Sequence, residues 1–230
     1  MRVARFRGLV LFWESEWSLS VLLFVLAALI FVVLPAQELG ARRWFLDVSS
    51  SLVLVSGIWA VSRHKTMTII VAAITFVGLP LHWAKYISTG ALYQKGDALL
   101  TLTAFLLMAG VVAAKVFQKG PITLYRIQGA IVIYLLLGLA WSRAYMLIEM
   151  LKPGAFQMGG AGAGYLTSEL TYYSFVTLTS VGYGDINAVH PAARSLAAME
   201  AVVGQLFPAI LIARLVAMEM AQSKRIKHGD

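Results

Sequence analysis

Two long apolar runs, at residues 127–147 and 193–217, bracket a third at residues 170–178 that is only nine residues long. A helix that crosses a bilayer needs about 20 residues at 1.5 Å of rise each, so the middle run is too short to cross. The sequence therefore predicts a re-entrant segment, which dips in and returns to the same side. Membranes tolerate such a segment only where protein surrounds it or where it faces water. It is followed at once by Thr179-Ser180-Val181-Gly182-Tyr183-Gly184-Asp185. A chain with this layout has to bury irregular backbone at membrane depth, and few folds do that.

The rest of the sequence fits a membrane setting. Of its 230 residues 60% are hydrophobic and only 13% are charged, against roughly 25% charged in soluble domains. Six apolar runs are read as spans, at 18–34, 48–61, 67–83, 98–117, 127–147 and 193–217. The fold class this predicts is an all-α membrane protein: six transmembrane helices plus a re-entrant pore helix and filter, both termini cytoplasmic. The formal net charge of +8 would suggest nucleic acid in a soluble protein. Here the basic residues fall between apolar runs, as on a cytoplasmic membrane face, and no nucleic-acid partner is expected. With no cysteine, thiolate chemistry and Cys-based metal sites are excluded, and His64, His82, His190 and His228 show no ligand spacing. No nucleophile with its base and no metal cluster supports catalysis, so the chain does not read as an enzyme, and no cofactor is expected.

With the N terminus placed in the cytoplasm, eleven of the 19 Lys and Arg residues lie inside, six lie outside, and Arg143 and Arg214 fall within spans. That imbalance favours both termini inside the cell membrane, although Arg42 and Arg43 argue the other way. Before the first span, Val3, Phe6, Val10, Trp13 and Trp17 recur at helical spacing beside Arg2, Arg5 and Arg7. Residues 1–17 are read as an amphipathic segment lying in the interface. The domain layout follows: 18–117 a four-span peripheral domain, 118–220 a pore domain, and 221–230 a short cytoplasmic tail.

Between the fifth and sixth runs, Pro153, Gly154, Gly159, Gly160, Gly162 and Gly164 mark a flexible loop. Thr167 or Ser168 can cap the short helix, with Glu169 in its first turn suiting the dipole. Beyond Thr179, Gly182 and Gly184 sit two apart. Alternating left- and right-handed backbone requires glycine at such spacing. It aims successive carbonyls at one axis, where they can replace the hydration shell of a cation. Val181 and Tyr183 would then point away from that axis. The C-terminal end of the short helix, partially negative, faces the same path and favours a cation.

The string Thr177-Leu178-Thr179-Ser180-Val181-Gly182-Tyr183-Gly184-Asp185 resembles the signature of potassium channels, over a pore module of about residues 126–220. The resemblance implies a filter made by Ser180, Val181, Gly182, Tyr183 and Gly184, with potassium held at Ser180, Val181, Gly182 and Tyr183. It places Asp185 at the outer mouth and implies supporting roles for Thr179, Tyr172 and Tyr173. Ser180 departs from the threonine that many relatives carry, and keeps the hydroxyl. One chain would supply a quarter of the filter, so a homotetramer is implied, with K+ as the permeant ion.

Four runs ahead of that module give the layout of the voltage-gated-like, six-span cation channels of bacterial type. Voltage sensing needs charge that moves in the field, yet residues 98–114 carry none. Asp97 and Lys115 lie at the ends of that run and should sit near water. A channel without a charged sensor is expected, its open probability nearly independent of voltage. Gly204 and Pro208 in the last run are candidates for a gating hinge; close packing at Gly204 and a fixed bend at Pro208 are the alternative. Arg143 and Glu200 are candidates for an intramembrane pair. Otherwise Arg143 snorkels outward and Glu200 bonds behind the filter. The function predicted is passive potassium conduction, with a weakly selective cation channel or a modulatory subunit as alternatives. Membrane lipids and an unidentified regulatory subunit complete the partners considered.

Overall fold

A computed structural model describes residues 17–33, 35–36, 43–61, 65–84, 90–118, 123–158 and 166–228. The amphipathic segment expected before residue 17, most of the glycine loop and the chain termini lie outside those residues, and with them the expected placement of the termini. The first helix, α1 (Trp17–Ala28), runs on into a π-helical turn, Leu29–Val33. Then come α2 (Arg43–Val61), α3 (Lys65–Ala84), α4 (Ala91–Val116) and α5 (Leu124–Leu151). The last part holds β1 (Phe156–Gln157), α6 (Leu166–Leu178), β2 (Asn187–Ala188) and α7 (Pro191–His228).

The expectation of six spans is overturned. Among the described residues only three helices are long and apolar enough to cross a membrane: Leu92–Val116, Leu124–Leu151 and Pro191–Arg214. The other three runs are shorter apolar helices, Ser18–Val33, Asp47–Ile58 and Ile69–Ala84, each of 10–17 residues. The six-span, voltage-gated-like layout goes with them. The reason lies in apolar length: Asp47, Ser49, Ser50 and Ser51 lie within α2, and Pro80 and His82 lie within α3, so polar residues dilute both runs. What remains falls below the roughly 20 apolar residues that a span needs.

Helix α5 is the centre of the molecule. It buries Val132, Ile133, Leu136, Leu139 and Ala140. Helix α4 packs along it, α1 lies against both α2 and α5, and α3 lies on α4. The main core joins Leu19, Leu22 and Leu26 of α1 with Val53 of α2, Phe105 and Met108 of α4, and Leu136 of α5. A second, smaller core lies at the other end of α5, where Tyr145 meets Ala155, Phe156, Leu170 and Ala193. Helix α7 starts on Pro191, a residue whose fixed φ suits a first turn, and continues through Pro208 without interruption. Only 11% of its apolar window is buried, against 50% for α5.

Candidate functional site

The excursion between α5 and α7 is closed at its base. Strands β1 and β2 pair antiparallel, Phe156 with Ala188 and Gln157 with Asn187. The Val189 amide also donates to the Ala155 carbonyl at 2.9 Å. The chain therefore leaves and re-enters at one place, as a re-entrant segment requires. Within it α6 spans 13 residues rather than nine. The expected cap is corrected: Thr167 and Ser168 lie inside the helix, which begins at Leu166, while Glu169 does occupy the first turn.

Helix α6 is seated tightly. A Cβ on Gly138 of α5 would come within 2.6 Å of the Phe175 ring, so the absence of a side chain lets the two helices meet. Its C-terminal carbonyls have named partners. The Tyr134 hydroxyl of α5 donates to the Leu178 carbonyl at 3.2 Å. The Thr179 amide and hydroxyl donate to the Phe175 carbonyl, at 3.0 and 2.7 Å. Gly204 of α7 rests against the backbone of Leu178 with no room for a Cβ. Close packing thus accounts for a glycine at 204.

Immediately beyond α6 the backbone alternates. Ser180, Gly182 and Gly184 have φ of 57°, 60° and 81°, while Val181 and Tyr183 between them do not enter that region. Left-handed geometry is free to glycine but costs a residue with a side chain, so Ser180 carries strain. The amides of the first residues turn back toward the helix. Ser180 N–H donates to Thr177 O and Val181 N–H to Val176 O, both at 2.9 Å. This brings the partially negative helix end against the start of the loop. At the far end the Asn187 side-chain amide donates to the Gly184 carbonyl at 2.7 Å, a contact that the sequence reading missed. An Asn three positions after the second glycine was its only trace.

The side chains of Val181 and Tyr183 are 52% and 71% exposed on a single chain. They line a cavity of about 480 Å³ with Ile30, Phe31, Tyr134 and Tyr172. The two adjacent tyrosines part company. Tyr172 shares the cavity with Tyr183, whereas Tyr173 stacks edge-on against Tyr145 and Phe156, with centroids 5.2 and 5.3 Å away. Asp185 is exposed.

Arg143 and Glu200 are both buried, but they do not pair. Glu200 reaches two hydroxyls. Tyr145 of α5 donates to its Oε2, and Ser174 Oγ of α6 lies 2.5 Å from its Oε1. Ser174 Oγ is also 2.7 Å from the Gly138 carbonyl. Arg143 is not snorkelling either. Its guanidinium touches Met146 Sδ at 3.7 Å, and the carboxylates acting on it electrostatically are Asp97 and Asp47.

Those two acids belong to a cluster that the sequence reading did not foresee. His82 of α3 stands between them, its Nε2 3.1 Å from Asp47 Oδ1 of α2 and its Nδ1 2.9 Å from Asp97 Oδ1 of α4. Ser50 Oγ lies 3.0 Å from the same Nε2, so both ring nitrogens have polar partners. Asp97, expected near water, is thus drawn into a buried contact. The available signal was three polar side chains, each at the edge of an apolar run. Among the described residues no group of His, Asp and Glu is arranged to hold a metal ion.

With this geometry in view, likeness to known proteins has a place to attach. Residues 122–220 match the family described as Ion channel. That stretch starts just ahead of α5 and ends within α7, so it takes in the re-entrant helix and the alternating loop. Protein LctB of Bacillus caldotenax is 32% identical over 87 residues, covering 36% of this chain and 64% of that protein. The chain therefore spans just under two thirds of that relative's length. No solved structure matches. The module at 122–220 is ion-channel-like, a non-catalytic class, and its membrane-length helices make this a multi-pass membrane protein.

Proposed function

We propose that four copies of this chain assemble around one axis in the cell membrane to form a potassium-selective pore. The observation that carries this reading is the alternation of φ at Ser180, Gly182 and Gly184 directly after a short helix. Such alternation turns successive carbonyls the same way, and four copies would stack them in rings at Ser180, Val181, Gly182 and Tyr183. Support also comes from the exposure of Val181 and Tyr183 and from the little-buried apolar face of α7. Both are surfaces that neighbouring copies would cover. In this reading residues 118–220 are the pore domain, and the helices within 18–117 form a collar rather than a voltage sensor. Among the described residues of the collar the one membrane-length helix, Leu92–Val116, has no charge between residues 98 and 114.

Purified protein in planar bilayers tests the proposal. The expected results are a tetramer by native mass measurement and an open probability nearly flat from about −100 to +100 mV. A monomer or dimer contradicts the assembly. A steep sigmoid, with several charges moving per subunit, contradicts the uncharged collar.

A further inference from the structure

Ser174 has one hydroxyl proton and two short oxygen contacts, the Gly138 carbonyl at 2.7 Å and Glu200 Oε1 at 2.5 Å. A backbone carbonyl only accepts, so the contact with Gly138 uses the proton of Ser174. The contact with Glu200 is then left needing a proton of its own. An ionised carboxylate cannot supply one. If it took the Ser174 proton instead, two lone pairs would face each other at the Gly138 carbonyl. On the other carboxyl oxygen Tyr145 is already the donor.

The groups around Glu200 agree. It is fully buried, and an isolated buried carboxylate is costly. The titratable side chains that face it are Tyr134 and Tyr145 from α5 and Tyr173 from α6, all neutral phenols. Arg143 on α5 makes no ion pair with it, its guanidinium contacting Met146 Sδ at 3.7 Å. On α7 itself the basic residue ahead of it, Arg194, lies more than a turn away toward the helix start.

We propose that Glu200 is a neutral carboxylic acid, donating from Oε1–H to Ser174 and accepting from Tyr145, and that this chain of hydrogen bonds positions the re-entrant helix behind the filter. Glu200 and Gly204 stand one turn apart on α7, facing Ser174 and Leu178, also one turn apart on α6. The two contacts fix the axial position of α6, and Leu178 leads directly into Ser180. The consequence for conduction rests on the channel reading above, whereas the proton assignment does not.

The test has two arms on the full-length protein. Infrared difference spectra in vesicles should show a protonated-carboxyl C=O band at neutral pH that disappears in Glu200→Gln and bleaches on raising the pH. Potassium flux through wild type should fall over the same alkaline range. Glu200→Gln keeps a donor for Ser174 and an acceptor for Tyr145, so it should conduct like wild type with a flattened pH profile. Glu200→Ala, which leaves Ser174 and Tyr145 unpaired, should lose on the order of tenfold in flux. A neutral-pH spectrum with no band removed by Glu200→Gln overturns the proton assignment. Glu200→Gln conducting no better than Glu200→Ala overturns the positioning role. If wild type itself carries no flux, the channel reading fails, and the infrared arm still decides the proton.

Discussion

Gly204 of α7 lies against the carbonyl of Leu178 at the end of α6, so closely that any Cβ at 204 would collide with backbone. A backbone neighbour cannot rotate away as a side chain can. Gly204→Ala therefore has to push α7 off the re-entrant helix, at about 1–3 kcal/mol for an overpacked contact. The expected result is a lower unfolding temperature in detergent together with loss of conduction. Gly110→Ala in α4 is the control, because nothing lies within 4 Å of its Cβ position. It should be neutral, or stabilising by up to about 1 kcal/mol. Equal thermal shifts for the two variants would show that contact at 204 is not what matters.

Gly182 and Gly184 differ from Gly204 in having open space around them but left-handed backbone, with φ of 60° and 81°. Alanine at either position meets no neighbour yet costs about 1–2 kcal/mol of backbone strain. The variants Gly182→Ala and Gly184→Ala should fold and assemble as wild type does while losing conduction. Thermal unfolding and native mass together with flux separate the two effects. Normal flux in either variant would mean that the left-handed geometry is dispensable.

The divide between what the sequence revealed and what it concealed follows the range of the interactions. The string from Thr177 to Asp185 is local, and glycine spacing alone anticipates alternation; the structure adds a third left-handed residue, Ser180. Glu200 is a different case. Its partners Tyr145 and Ser174 are 55 and 26 residues away, and no periodicity reports which hydroxyl a carboxyl will meet. Depth in the outer halves of the neighbouring last two spans suggested Arg143 instead, but the guanidinium contacts Met146 Sδ. The reading of 48–61 and 67–83 as spans failed on apolar length: the stretches Asp47–Ile58 and Ile69–Ala84 fall short of a membrane crossing, and each includes a member of the polar cluster, Asp47 or His82.

His82 holds three helices together through Asp47 on α2 and Asp97 on α4. Removing the imidazole takes away the side chain that bridges the two carboxylates. Breaking a buried ionic contact in this way costs about 3–5 kcal/mol. His82→Ala should therefore lower the unfolding temperature strongly, and Asp97→Asn, which removes one charge and keeps the shape, should lower it less. An unchanged melting curve for His82→Ala would show that the cluster contributes nothing to the packing of the collar.

The most direct measurement is the reversal potential of single channels from purified protein, with potassium on the inner side and sodium on the outer. Carbonyl rings at Ser180, Val181, Gly182 and Tyr183 require current carried by potassium alone, and hence a strongly negative reversal potential. A reversal near zero, with sodium current equal to potassium current, would contradict the account.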